Sequence, residues 1–238
     1  MNKISYFGGL IVVLSSAAVN TVHASEHSLR PALVGERESS TMAVDVNKQP
    51  AKLLSAFFGL DNDLPFRANA LCFGASGKDG MPVVLSHTVD QETLQPEDFQ
   101  IVTRSGDVRT PKCVTLRPAQ DPGERRTVLL IGDRGDAVDN PPLSVQVVGD
   151  LLSDGAPVVN FIGAYTDVTP LDAGPSIVLA EEVPESEWAR KTRGTVCPAG
   201  IQQIVRITWN GGVRLPNGNE PGDTERRLYR VRVERRDG

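Results

Sequence analysis

The spacing of apolar residues along the chain changes near residue 70, from a helical period to the two-residue period of strands. Before that point, apolar residues recur at i, i+1, i+4 and i+5, as they do along one face of a helix. The four residues are Leu53, Leu54, Phe57 and Phe58. Pro50 suits the first position of a helix, and Gly59 suits its end. The pattern predicts a short helix between these two residues, packed against a sheet.

After residue 70, the chain consists of short segments rich in Val, Ile, Leu and Thr, bounded by Gly, Pro, Asp or Asn. Such segments are typical of strands. Strands are predicted over 70–73, 81–86, 99–103, 113–116, 126–131, 143–148, 176–180, 203–209 and 228–233, and a second short helix over 184–192. Because little helical pattern separates the strands, they are expected to form an antiparallel sandwich or barrel.

A V-D-x-x-T-L step runs from Val89 to Leu94, and an acidic D-F step at Asp98-Phe99 leads into the next predicted strand. With these motifs, residues 82–148 resemble the bacterial Ig-like domains of the S-layer type. The resemblance implies a mainly β fold, an antiparallel Ig-like β-sandwich with one or two short helices. Domains of this type mostly serve as spacers or as adhesion and binding modules. Fold alone does not define the function.

The N-terminus has the pattern of a secretion signal. Lys3 precedes an apolar run over residues 7–19, and Val22-His23-Ala24 suits a signal peptidase. The run is shorter than the roughly 20 residues that a membrane span needs, and a retained N-terminal anchor is the alternative. Cleavage after Ala24 would leave an exported protein, periplasmic or extracellular, without a transmembrane segment.

The predicted organisation is a signal peptide over 1–24, a flexible lead-in over 25–47, an Ig-like β-sandwich over 48–150 and a second β-rich half over 151–238. The lead-in is assigned because it is polar and lacks periodicity. The chain ends at Asp237-Gly238, a hairpin-turn signal that no return strand follows. The second half is therefore either complete with a frayed end or a shortened form of a longer protein.

The net charge of −5 at pH 7 argues against nucleic acid as a partner, since nucleic-acid binders carry a basic face. Arg residues alternate along the last predicted strand, where outward Arg either protects a sheet edge or binds an anionic polymer. Trp188 and Trp209 suit core packing or a platform for stacking sugars. The expected partner is an envelope glycan or protein of unknown identity.

The chain has three cysteines, Cys72, Cys113 and Cys197. In an exported protein, a pair of them is expected to form a disulfide. We predict the pair Cys72–Cys113, because both lie in or beside predicted strands, while a pair that includes Cys197 stays open. The predicted bond closes a loop of about 40 residues, which in the chain-entropy model stabilises the fold by about 4 kcal/mol.

Acidic side chains crowd several predicted loops. In the loop after residue 131, Asp133, Asp136 and Asp139 are weak candidates for calcium ligands, since Ca²⁺ takes oxygen ligands that converge from such loops. The spacing is not that of an EF-hand, and solvated turns are the more common use of such residues. Calcium is the one cofactor that the sequence leaves open.

One segment brings a serine, a histidine and an aspartate close together in sequence, at Ser86, His87 and Asp90. Neighbouring residues of a strand point to opposite faces, so Ser86 and His87 are not expected to pair. The sequence has neither a Gly-x-Ser-x-Gly nucleophile elbow nor a phosphate-binding loop. Catalytic residues are therefore not predicted.

The leading hypothesis is a non-enzymatic binding or structural module that is exported to the cell envelope. The alternative is an exported hydrolase or metal-dependent enzyme whose carboxylates converge from loops that are distant in sequence. Its candidate residues are Asp90, Asp133, Asp136, Glu181 and Glu182. Three or more of these carboxylates in one concave pocket would favour the enzyme.

Overall fold

The computed structural model describes residues 10–14, 50–118, 124–188, 201–213, 215, 217, 219 and 221–230. Strands are the predominant regular structure of these residues, which confirms the mainly β class. The strands are β1 (Leu10–Leu14), β2 (Leu53–Phe57), β3 (Asp79–Leu85), β4 (Phe99–Thr103), β5 (Val108–Arg109), β6 (Cys113–Thr115), β7 (Thr127–Gly132), β8 (Pro142–Val147), β9 (Tyr165–Thr169), β10 (Ile177–Glu182) and β11 (Gln203–Trp209). Short 3-10 turns lie at Phe66–Ala70, Pro96–Asp98, Leu171–Ala173 and Glu185–Glu187, and one α-helical turn, α1, at Asp223–Arg226.

The strands form two sheets. Eight strands make the large sheet, in the order β5-β4-β8-β9-β2-β3-β7-β6, and three make the small sheet, in the order β1-β11-β10. Neighbouring strands pair antiparallel, except that β2 and β9 run parallel through Ala56–Val168 and Phe57–Thr169. Parallel pairing needs a long crossover, which the intervening strands provide. The large sheet is therefore mixed, whereas the sequence predicted antiparallel strands.

The main core lies along the large sheet and draws its buried side chains from β2, β3, β4, β7 and β8. β3 lies between β2 and β7 in the sheet, and all of its residues are buried. Its run of Met, Val and Leu is typical of a strand that is covered on both faces. β8 instead exposes Leu143 and Gln146 between buried residues. Leu151 and Phe161, from the segment before β9, complete the core.

The helix predicted over 50–59 is wrong, because Leu53–Phe57 forms strand β2. β2 lies between β9 and β3 in the large sheet and is mostly buried. Apolar residues at i, i+1, i+4 and i+5 fit one helix face, but they also fit a strand that is buried on both faces. Pairing with distant strands selects the second option, as in the contact of Leu53 with Leu85.

Most of the other predicted strands are present. Those over 99–103 and 203–209 agree with β4 and β11 to the residue. Five more are found with ends shifted by one or two residues, namely 81–86, 113–116, 126–131, 143–148 and 176–180. The strand predicted over 70–73 is wrong, because a 3-10 turn ends there and the Leu71 N–H donates back to the Ala68 carbonyl.

The C-terminal part differs more from the expected pattern. β9 was not predicted, since Tyr-Thr-Asp-Val-Thr is mostly polar. The second predicted helix, 184–192, is reduced to the 3-10 turn at Glu185–Glu187, and its residues 189–192 lie outside the described residues. Residues 228–230 of the last predicted strand are not in a strand, and residues 231–238, like Cys197, lie outside the described part.

The N-terminal strand β1 belongs to the segment that the sequence assigns to a secretion signal. It pairs antiparallel with β11, from Leu10 opposite Ile207 to Leu14 opposite Gln203. The expected cleavage site at Ala24 and the lead-in over 25–47 lie outside the described residues. Cleavage there stays a prediction, and it would remove β1 from the edge of β11. Among the described helices, none is long and apolar enough to cross a membrane.

Candidate functional site

Large apolar side chains are exposed on the segment between β2 and β3. Phe66 and Phe73 expose 80% and 92% of their surface, and Leu71 exposes 38%. These three residues lie within Phe66–Phe73, which we call the aromatic loop. Three exposed large apolar residues within eight positions make this segment a candidate interaction site, since contiguous exposed apolar patches often mark such sites.

The aromatic loop is held by a covalent bond and by its own backbone. Cys72 and Cys113 form a disulfide with a Cα–Cα distance of 6.4 Å, which confirms the predicted pair and joins the loop to β6. Within the loop, the N–H groups of Leu71 and Cys72 both donate to the carbonyl of Ala68. The Asn69 side chain accepts a hydrogen bond from the Ser76 N–H at 3.0 Å, which fixes the exit of the loop.

Small and aliphatic side chains anchor the underside of the loop. Ala68 and Cys72 are buried in a satellite core, together with Leu64, Ala75, Leu129 and Ile131. The buried positions of the loop are thus occupied by the small residues Ala68 and Cys72, and the two phenylalanines are exposed. A disulfide and a packed base give these exposed side chains a fixed platform, which reduces the entropy that binding would cost.

The aromatic loop itself carries one positive charge, while Asp61 and Asp63 precede it in the chain. Arg67 is exposed and is the one charged residue within the loop. The exposed Lys112 places its Nζ 3.4 Å from the carbonyl of Gly74, directly after the loop. Lys78 is also nearby in sequence, but it forms an ion pair with Asp133 at 2.9 Å. Two cations thus accompany the phenylalanines on a chain whose net charge is −5.

Two of the acidic residues proposed as calcium ligands, Asp133 and Asp136, have partners within the protein. Asp133 pairs with Lys78. The Oδ1 atom of Asp136 accepts hydrogen bonds from the N–H groups of Val138 and Asp139, and the first cause of its lowered pKa is the hydrogen bond from Asp139. In the described part of the chain, no group of three or more His, Cys, Asp or Glu side chains is placed to hold a metal ion.

The carboxylates of the enzyme hypothesis have separate structural roles. Asp90 accepts a hydrogen bond from the Glu92 N–H at 3.0 Å and closes a turn. Glu181 is buried in an ion cluster, described below, while the adjacent Glu182 is exposed. Among the described residues, these carboxylates do not form a group of three or more that could hold a metal ion.

Ser86 and His87 do pair, so the prediction that they would not is wrong. The Ser86 Oγ lies 2.9 Å from the His87 Nδ1. β3 ends at Leu85 and the chain bends there, so strand alternation no longer applies. Ser86 is completely buried, and its Oγ also accepts a hydrogen bond from the Lys52 N–H. A hydroxyl without access to solvent is poorly placed to attack a substrate, so this pair has a structural role.

A buried ion cluster joins the two sheets, and sequence reasoning missed three of its four members. Arg126, just before β7, places Nη2 2.9 Å from Glu181 Oε2 in β10. Arg206 in β11 reaches Glu181 Oε1 at 3.2 Å and Glu187 Oε2 at 3.1 Å. Burial lowers the pKa of the Arg126 guanidinium, and the charge of Glu181 opposes that effect. Because the partners are far apart in sequence, a pattern within a short window of residues does not indicate such a cluster.

The two tryptophans are engaged in intramolecular contacts. The Nε1 of Trp188 donates to the carbonyl of Val183 at 2.9 Å. Trp209 packs edge to face on Tyr229, with ring centroids 6.5 Å apart. Both contacts are of the kind expected from packing, which was one of the two roles that the sequence left open for these residues.

The chain was compared with protein families, curated proteins and solved structures. The chain matches no protein-family model, and neither a curated protein nor a solved structure is significantly similar to it. Any function therefore has to be argued from the aromatic loop and its surroundings.

Proposed function

We propose that this chain is an exported binding module of the cell envelope, and that its aromatic loop docks on an anionic lipid surface. The observation that carries the proposal is the exposure of Phe66 and Phe73 on a loop held by the Cys72–Cys113 disulfide. Export rests on the signal predicted over residues 1–24. An Ig-like relationship of residues 82–148 is part of the same proposal and would suit a binding role.

Insertion of the loop is favourable on physical grounds. Full burial of one phenylalanine side chain is worth about 1.5–3 kcal/mol, and the loop offers two, with Leu71 beside them. A cation near an anionic bilayer adds about 1 kcal/mol, and Arg67 and Lys112 are placed to supply it. The sum of these free energies corresponds to weak, reversible binding, because the entropy lost on association and the cost of partial desolvation oppose it.

The composition of the loop favours lipid over the other envelope ligands. Phenylalanine has no hydrogen-bonding group for sugar hydroxyls, so a glycan would gain little specificity from these side chains. The loop itself carries a cation and lacks a carboxylate, which suits the phosphate groups of an anionic bilayer. Aromatic side chains with flanking cations are typical of segments that lie in the membrane interface.

Replacement of both phenylalanines by alanine is expected to weaken vesicle binding at least about tenfold, since even one lost apolar anchor corresponds to roughly that factor. The measurement is co-sedimentation of the purified protein with phosphatidylglycerol-containing vesicles, compared with pure phosphatidylcholine. The wild type should prefer the anionic vesicles, and the F66A/F73A variant should remain in the supernatant.

The matched control changes exposed apolar residues elsewhere. Val158 and Ile162 are 61% and 54% exposed on the segment before β9, and V158A/I162A should bind vesicles like the wild type. If the wild type binds neither kind of vesicle, or if both double variants bind equally well, the aromatic loop is not a lipid-docking site. Equal thermal unfolding of the two variants would show that folding is not the cause of any difference.

A further inference from the structure

Arg134 is a completely buried cation without a hydrogen-bond partner. It lies in the loop of residues 133–141, between β7 and β8, and exposes 0% of its surface. Its Nε, Nη1 and Nη2 atoms donate to no acceptor among the described residues. Buried guanidinium groups normally donate to carboxylates or carbonyls, because an unpaired buried charge is very costly. The structure thus presents a set of oriented donors that requires an acceptor.

The acidic residues beside Arg134 are engaged elsewhere. The Asp79 carboxylate accepts hydrogen bonds from the N–H groups of Asn62, at 2.9 Å, and of Arg134 itself, at 2.7 Å. It is therefore held by backbone groups and acts on the guanidinium through charge alone. Asp133 is turned outward to Lys78. Burial lowers the pKa of Arg134 to about 9, while both aspartates oppose the shift, so the side chain is a cation at neutral pH.

The loop that contains Arg134 is tightly closed. The N–H of Ser105 donates to the Asn140 side chain at 2.8 Å, and the N–H of Ala137 donates to the Asp61 carboxylate at 2.9 Å. Gly135 has a φ of +104°, and a Cβ at this position would collide with the backbone carbonyl oxygen of Asn140. The loop that contains Arg134 is thus tied to two neighbouring segments.

From these contacts we infer that Arg134 anchors an internal site for a small oxyanion, of the phosphate, sulfate or carboxylate class. A guanidinium presents its donors in a planar fork, which matches two oxygens of one oxyanion. The negative charges of Asp79 and Asp133 oppose the binding of an anion, so the affinity has to come from the hydrogen bonds that the fork donates. The site is separate from the aromatic loop and does not depend on lipid docking.

The test is the thermal stability of the protein in inorganic phosphate and in chloride at equal ionic strength. A ligand that binds the native state raises the melting temperature with its concentration, and saturation well above Kd corresponds to a rise of about 5 °C for a chain of this size. Ionic screening is the same for both salts. Phosphate should therefore raise the melting temperature, and chloride should not.

Two variants identify Arg134 as the anchor. Arg134→Met should abolish the difference between phosphate and chloride, and Arg134→Lys should reduce it, because lysine keeps the charge and loses the fork. The matched control is Arg125→Met, since Arg125 is partly exposed and pairs with Asp154 at 3.0 Å; it should keep the full response. Equal responses of the wild type to both salts, or a full response in Arg134→Met, would overturn the site.

A direct measurement covers the case in which Arg134→Met does not fold. Wild-type protein dialysed against radiolabelled phosphate should retain about one equivalent per chain, and the bound phosphate should exchange slowly because Arg134 is fully enclosed. Retention of no phosphate by folded wild-type protein, with no response in the thermal assay, would mean that water alone satisfies the guanidinium.

Discussion

Replacement of Glu181 by glutamine is expected to lower the free energy of unfolding by about 3–5 kcal/mol, the usual loss when one partner of a buried ion pair is removed. Glu181 exposes 4% of its surface, and its two oxygens face Arg126 and Arg206, which are also buried. Glutamine would leave the buried Arg126 without its ion-pair partner and Arg206 with the partly exposed Glu187 alone. It would also turn an amide donor toward one of the two guanidinium groups.

The measurement is urea unfolding followed by intrinsic fluorescence, and the adjacent residue provides the control. Glu182 is exposed on the same strand, so Glu182→Gln should change the free energy of unfolding by less than about 0.5 kcal/mol. Equal losses in the two variants would show that the position on β10, rather than the buried cluster, controls stability. A loss below 1 kcal/mol in Glu181→Gln alone would contradict the electrostatic account.

The cluster matters because it links the small sheet to the large one. Arg126 also donates from Nη1 to the Ser86 carbonyl at 2.8 Å, at the end of β3. Through Glu181 the same side chain reaches β10, and through Arg206 the contact continues into β11. A variant that breaks the cluster is therefore expected to loosen the small sheet first. Hydrogen exchange should report this as lower protection in β10 and β11 than in β3.

Local patterns predicted the strands that have clear alternation and clear ends. β4 stops before Ser105-Gly106, and β11 stops before Asn210-Gly211, both of which are turn sequences. At these sites the local preference agrees with the global fold, so the bounds were predicted to the residue. The disulfide pair was also predicted correctly, although Cys72 does not lie in the strand predicted over 70–73.

Local patterns failed where distant pairing decides the structure. β2 has a helical apolar period, yet it forms a strand because it pairs with β9 along one edge and with β3 along the other. β9 has alternating polar residues, and its parallel partner lies more than a hundred residues away in sequence. Neither the parallel pairing nor the resulting mixed sheet has a signature within a short window of residues.

The candidate site was missed for a related reason. Phenylalanine is usually a core residue, so no local pattern predicted that Phe66 and Phe73 would be exposed to solvent. Within the aromatic loop, the buried positions are taken by Ala68 and Cys72 instead. Arg134 lies in an acidic loop, where solvated turn residues were predicted, and the loop is held by contacts with Asp61 and Ser105, which are distant in sequence.

Removal of the Cys72–Cys113 disulfide is expected to lower the free energy of unfolding by about 4 kcal/mol, on the chain-entropy model for a loop of this length. The two cysteines are separated by 41 positions. Cys72 is also buried in the satellite core, so the variant of choice is C72A/C113A, which avoids buried hydroxyl groups. Urea unfolding of this variant and of the oxidised wild type provides the comparison.

The same bond connects stability to the proposed function, and this connection can be tested in a Cys197→Ala background. In that variant the only cysteines are Cys72 and Cys113, so reduction by dithiothreitol reports on one bond. Reduction should lower both the free energy of unfolding and the binding to anionic vesicles, since the aromatic loop loses its tie to β6. If the reduced, folded protein binds vesicles as well as the oxidised form does, the disulfide stabilises the fold without presenting the phenylalanines. Binding would then depend on the packed base formed by Ala68 and Ala75.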